Sequence, residues 1–323
     1  MSIAKNSAEK MNNKIRVVFM GTPEFAVPGL ESLINSNDFE VVAVYTKPDK
    51  AVGRKQIISE SAIKVVALKN KIKVFQPEKI KEEVENIKNL QPDLIVVIAY
   101  GKIIPLEILD IPRHACINVH ASLLPKYRGA ACLNAPILNG DSETGLTIMK
   151  MDVGLDTGPI IKQFALKLSE KDNLKSVHDK LADLSARNLV PTLELWVQGK
   201  IDATKQDDSL ATYVKTLNKE DGKLDINKTA IELERTIRAF NPWPGTYFLL
   251  DKQIIKIIDA ARETIISEND KKTGEIYQEN KKLYIKCGQN SLNILRLQLA
   301  GKKAMDAKEF LNGHADIIGK IVE

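Results

Sequence analysis

At 323 residues the chain is longer than a typical single domain and suits two; 44% hydrophobic and 28% charged residues give apolar material for two cores, which excludes disorder. A net charge of +5, from 47 basic and 42 acidic residues, permits an anionic partner without identifying one. No apolar run approaches the length of a membrane span, so no membrane association is expected.

Residues 1–14 are polar and mixed in charge, lack the apolar centre of a secretory signal, and read as a flexible leader. Ile15–Met20 is a buried strand running into Gly21-Thr22-Pro23, with a helical pattern over Phe25–Ile34. Val41–Tyr45 repeats the strand signal, and a long polar loop leads to a helical segment around Val65–Leu68. Lys73–Phe75 is a short strand, Glu78–Leu90 a charged amphipathic helix, and Leu94–Ala99 and Ala115–Val119 two further strands. This alternation predicts an α/β domain whose mostly parallel, Rossmann-like sheet is covered on both faces. From Thr144 two strands flank the turn Asp152–Gly158, and a long helix, Leu174–Val197, closes the domain at about residue 198. The polar stretch 199–213 reads as a linker.

Beyond it, a helix over Thr229–Phe240 and a Pro-Trp-Pro-Gly corner precede short strands at Tyr247–Leu250, Ile254–Ala260, Gly274–Gln278, Lys282–Cys287 and Ser291–Leu299. Such a series in 214–323 predicts a small OB-like β-barrel domain. Cys116, Cys132 and Cys287 stand far apart with no C-x-x-C pattern, and the four histidines have no metal-ligand spacing. A reducing cytoplasm is expected, with neither disulfides nor a bound metal.

Chemistry concentrates between Asn118 and Gly158. Asn118 and His120 are two apart on a predicted strand, so both project to one face at its end, where ligands of open α/β sheets gather. Asp156 arrives later, in a Gly-Leu-Asp-Thr-Gly turn. A hydrogen-bond donor, a titratable imidazole and an orienting carboxylate together are what acyl transfer to an amine requires. From spacing alone Asp156 serves turn geometry as readily as chemistry. Gly21-Thr22-Pro23 is a tight turn or a substrate-facing one; the glycine fingerprints of dinucleotide and P-loop sites are absent. The loop Thr46–Ile58 gathers Lys47, Lys50, Arg54 and Lys55 around Pro48 and Gly53, and is long for a strand-to-helix connection; it reads as solvated surface or as a phosphate contact.

Six segments closely resemble the methionyl-tRNA formyltransferase family. They are M-G-T-P-E-F-A-V-P (Met20–Pro28), T-K-P-D-K-A-V-G-R (Thr46–Arg54), I-N-V-H-A-S-L-L-P-K-Y-R-G-A-A (Ile117–Ala131), M-D-V-G-L-D-T-G-P (Met151–Pro159), R-A-F-N-P-W-P-G (Arg238–Gly245) and A-G-K-K-A-M (Ala300–Met305). They run in family order over nearly the whole chain. The resemblance implies a formyl transfer from 10-formyltetrahydrofolate to the amino group of initiator methionyl-tRNA, by a monomer in the cytoplasm. It assigns catalysis to Asn118, His120 and Asp156, sets Ser122, Leu123, Leu124 and Pro125 beside the folate, and puts Lys50, Arg54 and Lys55 against the tRNA acceptor end. Cys132, Asn134 and Ala135 depart from the family pattern next to the expected folate site, and Leu299 replaces a common proline. Two other functions compete: a formyltransferase for an amino sugar nucleotide or another small amine, which shares the site but needs no basic loop, and an RNA-binding module with an inert first domain.

Overall fold

The computed structural model describes residues 14–52, 57–265 and 270–323. Packing divides these into two compact units. The first takes the described residues up to Arg128 together with Gly145–Ala165 and Asp179–Ala211; the second takes Gly129–Thr144, Leu166–His178 and Thr212–Glu323. Each unit therefore draws on several stretches of chain. Gln206, in the stretch expected as a linker, belongs to the first, where Thr204 also exchanges backbone bonds with Ile160.

The first unit is built on a seven-stranded sheet in the spatial order Ile160–Lys167, Glu143–Lys150, Cys116–His120, Leu94–Ile98, Ile15–Gly21, Phe39–Tyr45, Lys73–Phe75. From Cys116–His120 to Lys73–Phe75 every neighbour is parallel, and Glu143–Lys150 runs antiparallel to Cys116–His120. The Rossmann-like expectation is met. Every residue of Leu94–Ile98 is buried, which is why that strand reads as an unbroken apolar run. The chain builds outward from Ile15–Gly21 on one side, then crosses to Leu94–Ile98 on the other. That reversal opens a crevice at the carboxyl ends of the two strands.

Gly21 sits at that switch for a packing reason. A Cβ there would lie 2.9 Å from the Ile98 carbonyl oxygen and 2.7 Å from the Phe19 ring, so only glycine lets the strand ends come this close. Of the two readings of that turn, close backbone approach is the one the geometry supports.

Two local expectations change. Glu78–Leu90 is not one helix: a 3-10 turn, Ile80–Glu83, precedes a short α-helix, Val84–Asn89. The Glu83 carboxylate accepts from the Asn86 amide at 3.0 Å and, across the fold, from the Tyr45 hydroxyl at 3.3 Å, a tertiary tie that periodicity cannot register. The basic loop after Tyr45 contains a two-stranded ribbon, Lys50–Val52 against Ile57–Ser59. Its base is pinned where Lys64 bridges Asp49 and Glu60 and where Gln76 donates to Asp49.

In the second unit an antiparallel sheet runs Thr246–Leu250, Gln253–Ile265, Ser291–Leu299, Lys282–Lys286, Ile276–Glu279. The chain's last residues span its two edges: Glu323 exchanges backbone bonds with Leu249, while Val322 donates to Gly274 and Ile276 to Lys320. Phe248, Ile257, Ile276, Ile285, Leu297 and Val322 line one apolar interior, in keeping with the small barrel expected here. The helix Ala230–Phe240 packs Leu233 and Ile237 into the same core. It starts on a full capping box, with the Thr229 hydroxyl accepting from the Glu232 backbone and the Glu232 carboxylate accepting from the Thr229 backbone. Thr229→Ala is expected to lower stability by about 1 kcal/mol, read as a shift of the urea midpoint at constant slope.

Among the described residues no helix is long and apolar enough to cross a membrane.

Candidate active site

Cys116–His120 ends at the carboxyl edge of the sheet, in register with Leu94–Ile98 on one side and Glu143–Lys150 on the other. Strand alternation sends Asn118 and His120 to the same face. The turn after Met151 brings Asp156 to them from 38 residues away: its Oδ1 accepts from Asn118 Nδ2 at 3.5 Å, and its Oδ2 lies 3.6 Å from His120 Nδ1. One carboxylate therefore spans both groups, and the three residues meet within a single unit.

The histidine is held on its other side as well. Its Nε2 lies 2.9 Å from the Tyr127 carbonyl oxygen in a buried position. A carbonyl can only accept, so Nε2 carries a hydrogen. The Asp156 carboxylate on the Nδ1 side and the Tyr127 carbonyl on the Nε2 side together fix the orientation of the ring. Tyr127 has a φ of +62°, an uncommon backbone conformation that turns this carbonyl toward the ring. Both contacts of Asp156 are long for hydrogen bonds, so neither is strong and either could yield to an arriving polar group.

Asp156 itself has φ +55°, left-handed backbone that aspartate tolerates better than most residues. The turn is sealed close by. A Cβ on Gly158 would fall 1.9 Å from the Lys150 carbonyl oxygen, and the Asp152 carboxylate accepts from the Gly154 amide at 3.0 Å and the Thr157 hydroxyl at 2.7 Å. Asp152 is thus the local turn-former of the pair, and Asp156 reaches toward Asn118 and His120.

Residues Ser122–Pro125 are less open than their expected place beside a folate implies. The Ser122 hydroxyl donates to the Lys126 carbonyl at 2.6 Å. Leu124 is buried; its amide donates to Thr147 Oγ1 at 3.0 Å, and its carbonyl accepts from Gln163 at 2.8 Å. Leu123 and Pro125 keep partly exposed side chains. Thr147 is the hub of this turn: fully buried and paired with His120 across the sheet, it also donates to the Ser122 carbonyl at 2.7 Å. Sequence reasoning did not single out Thr147 or Gln163, since a threonine and a glutamine in strands carry no local mark of such a role.

Of the basic residues, Lys50 is exposed on the ribbon, while Arg54 and Lys55 lie outside the described residues. Lys47 stands just past Tyr45, with its ammonium against Gly101 at the crevice. Partial burial, and then the charges of Lys50 and Lys102, hold its pKa below the ordinary lysine value. Cys132, Asn134 and Ala135 are buried in the second unit, where the Asn134 amide donates to the Ala239 carbonyl at 2.7 Å.

Cys116 shares a strand face with Asn118, yet it makes a poor nucleophile. The thiol is buried and shares its hydrogen with the carbonyls of Ile108 and Leu109, each at 3.8 Å, and burial pushes its pKa far up. Among the described residues no three His, Cys, Asp or Glu side chains gather as metal ligands. The site offers an amide donor and an oriented imidazole, groups suited to a carbonyl oxygen gaining negative charge.

Residues 13–193 match the family model described as formyl transferase, and residues 216–315 match the model described as formyl transferase, C-terminal domain. Two solved structures share the fold. One is WlaRD, a sugar 3N-formyl transferase solved with dTDP and 5-N-formyl-THF, at TM-score 0.64 and 23% identity over 90% of this chain and 99% of that one. The other is an N-formyltransferase from Helicobacter canadensis with folinic acid and dTDP-3-aminofucose, at TM-score 0.64 and 22% identity over 87% and 98%. Fold and site together therefore define a formyl transferase. Among curated relatives, the methionyl-tRNA formyltransferase of Caldanaerobacter subterraneus subsp. tengcongensis is 45% identical over 303 residues, 93% of this chain and 97% of the relative. That of Geobacter sulfurreducens is 43% identical over 302 residues, 93% and 94%. The chain belongs to the methionyl-tRNA formyltransferase family.

Proposed function

We propose that the chain transfers the formyl group of 10-formyltetrahydrofolate to the α-amino group of methionine on initiator methionyl-tRNA, the step that readies this tRNA for translation initiation. The observation that carries this reading is the single carboxylate, Asp156, spanning Asn118 at 3.5 Å and His120 at 3.6 Å where a parallel sheet opens its ligand crevice. All three groups come from one unit of one chain, so a monomer suffices. A cytoplasmic setting suits the three free, buried cysteines.

The residues present fit a formyl donor: the Asn118 amide and the His120 ring meet at one carboxylate, and the thiol on the same strand, Cys116, is buried and poorly nucleophilic. The folate supplies a formyl carbon already bonded to N10, and the chain directs where that carbon goes. Asn118 turns its Nδ2 hydrogen from the weak contact with Asp156 to the formyl oxygen, whose charge grows as the methionine nitrogen bonds to the carbon. The C–N10 bond breaks as the new C–N bond forms. His120 holds the proton that N10 needs, and the amine's surplus proton leaves toward the Asp156–His120 pair, so protons balance without a covalent enzyme intermediate. Asp156 keeps the ring oriented throughout. Leu123 and Pro125 line the folate with their exposed faces, and Ser122 and Leu124 brace the turn from within. Lys50, with Arg54 and Lys55, meets phosphates of the tRNA acceptor end, and the Lys47 ammonium adds positive potential at the crevice.

The test is a competition among acceptors. Purified protein with 10-formyltetrahydrofolate is offered charged initiator tRNA or a dTDP-linked amino sugar, and formyl incorporation is followed. Incorporation into the tRNA alone is the expected result. Turnover of the sugar without the tRNA would transfer the assignment to small amines, and tRNA binding without any turnover would reduce the chain to an RNA-binding module.

A further inference from the structure

The turn that presents Asp156 is tied within itself by the Asp152 carboxylate on Gly154 and Thr157, but its carbonyls need donors from elsewhere. The contacts of Asp156 with Asn118 and His120 stand at the outer limit of hydrogen bonding, so a displacement of about one ångström would break either. Support comes from a residue 50 positions further on. Gln206 is buried, and its Nε2 donates to the Asp156 carbonyl at 2.8 Å and to the Gly158 carbonyl at 2.7 Å. Both hydrogens of one amide thereby hold the backbone on either side of Thr157.

The other end of the amide is held as firmly. Gln206 Oε1 accepts from Arg128 Nε at 3.1 Å and from Arg128 Nη2 at 2.7 Å. Arg128 is 1% exposed, and its Nη2 also donates to Asp208 at 2.7 Å. A guanidinium has only donors, which settles which way the amide points: oxygen to Arg128, nitrogen to the turn. Arg128 lies next to Tyr127, whose carbonyl holds His120. One short segment of chain therefore fixes the histidine directly and the carboxylate through Gln206, and all of these residues belong to the first unit.

We propose that Gln206, oriented by Arg128, is a positioning residue for the formyl transfer: it holds the Asp156 turn at the spacing at which one carboxylate serves both Asn118 and His120. This rests on the function proposed above, since it takes Asp156 to act in catalysis. The Gln206 amide commits its oxygen to Arg128 and its hydrogens to the Asp156 turn. Its effect passes through Asp156, and misplacing a catalytic group by about 1 Å costs on the order of 10²-fold in rate.

Gln206→Glu is the informative variant. It keeps the length, the shape and an oxygen for Arg128, but removes both hydrogens that hold the turn and sets a carboxylate against two carbonyls. Gln206→Met, similar in length and without donors, is the second variant should a buried glutamate hinder folding. Each is measured for single-turnover formylation, for KM of both substrates and for thermal stability, first in the wild-type background and then with Asp156→Asn. The expected result is a fall in rate of about 10–10²-fold with KM changed by less than about twofold. In the Asp156→Asn background the same change should cost less than about twofold, because a residue that acts through the carboxylate has nothing left to act on. A retained rate, a rise confined to KM, or an equal loss in both backgrounds would overturn the positioning role. A wild-type chain inert toward charged tRNA, or an Asp156→Asn variant as fast as wild type, would instead overturn the underlying function, and this proposal with it.

Discussion

Replacing His120 with glutamine is expected to lower single-turnover formylation by about 10²–10⁴-fold, the range for removing a positioned proton donor and acceptor. The ring sits between an acceptor at 2.9 Å and a carboxylate at 3.6 Å, so its orientation is set before any substrate arrives. Glutamine offers an amide hydrogen for the Tyr127 carbonyl but cannot carry a proton from one nitrogen to another. Binding should change little, because the ring is buried and its nearest partners are the protein's own groups. Quenched-flow rates at saturating substrates, with tRNA affinity measured alongside by filter binding, separate the two quantities. An intact protein working within about threefold of the wild-type rate would remove His120 from the chemistry, far short of the loss expected for acid–base catalysis.

Asn118→Ala carries the second large effect, about 10²–10³-fold, typical of losing one donor to a developing oxyanion. The loss should fall equally on kcat and on kcat/KM, since the bond to the formyl oxygen strengthens only as negative charge grows there. Asn118→Asp should be at least as damaging. It would bring a second carboxylate to the position from which Asn118 reaches Asp156 at 3.5 Å, and two such groups tend to share a proton rather than both ionise. The imidazole of His120 would then face an altered partner. Parallel steady-state and single-turnover measurements decide: a change confined to KM would mean that Asn118 binds the ground state and no more.

Both predictions concern side chains on one strand, and that strand was legible early. Ala115–Val119 was expected as a strand; it spans Cys116–His120, so the imidazole is on the strand itself rather than beyond its end. The i, i+2 relation of Asn118 and His120 follows from pleating alone, whatever surrounds them. Asp156 was different. A Gly-Leu-Asp-Thr-Gly turn does not say which way its carboxylate points, whereas Asp152, four residues earlier, reads more readily as a turn or capping residue. The structure separates them: Asp152 spends its oxygens on Gly154 and Thr157, and Asp156 reaches across to the strand. The supporting residues Thr147, Gln163 and Gln206 are invisible in the sequence because each bonds to groups 16 to 78 residues away, and no local pattern encodes such a meeting.

What the linear chain determined by itself is whatever depends on period and on neighbours close in sequence. That covers the parallel α/β sheet, the antiparallel second half, the pairing of amide and imidazole on one face, and, through its motifs, the family. What only the tertiary structure decided is which of several polar residues converge and what holds them there. The reason is energetic: a buried Arg128 must find acceptors, and the carbonyls of the Asp156 turn must find donors. Gln206 meets both needs with one amide, and that match exists only once distant stretches of the chain are packed side by side.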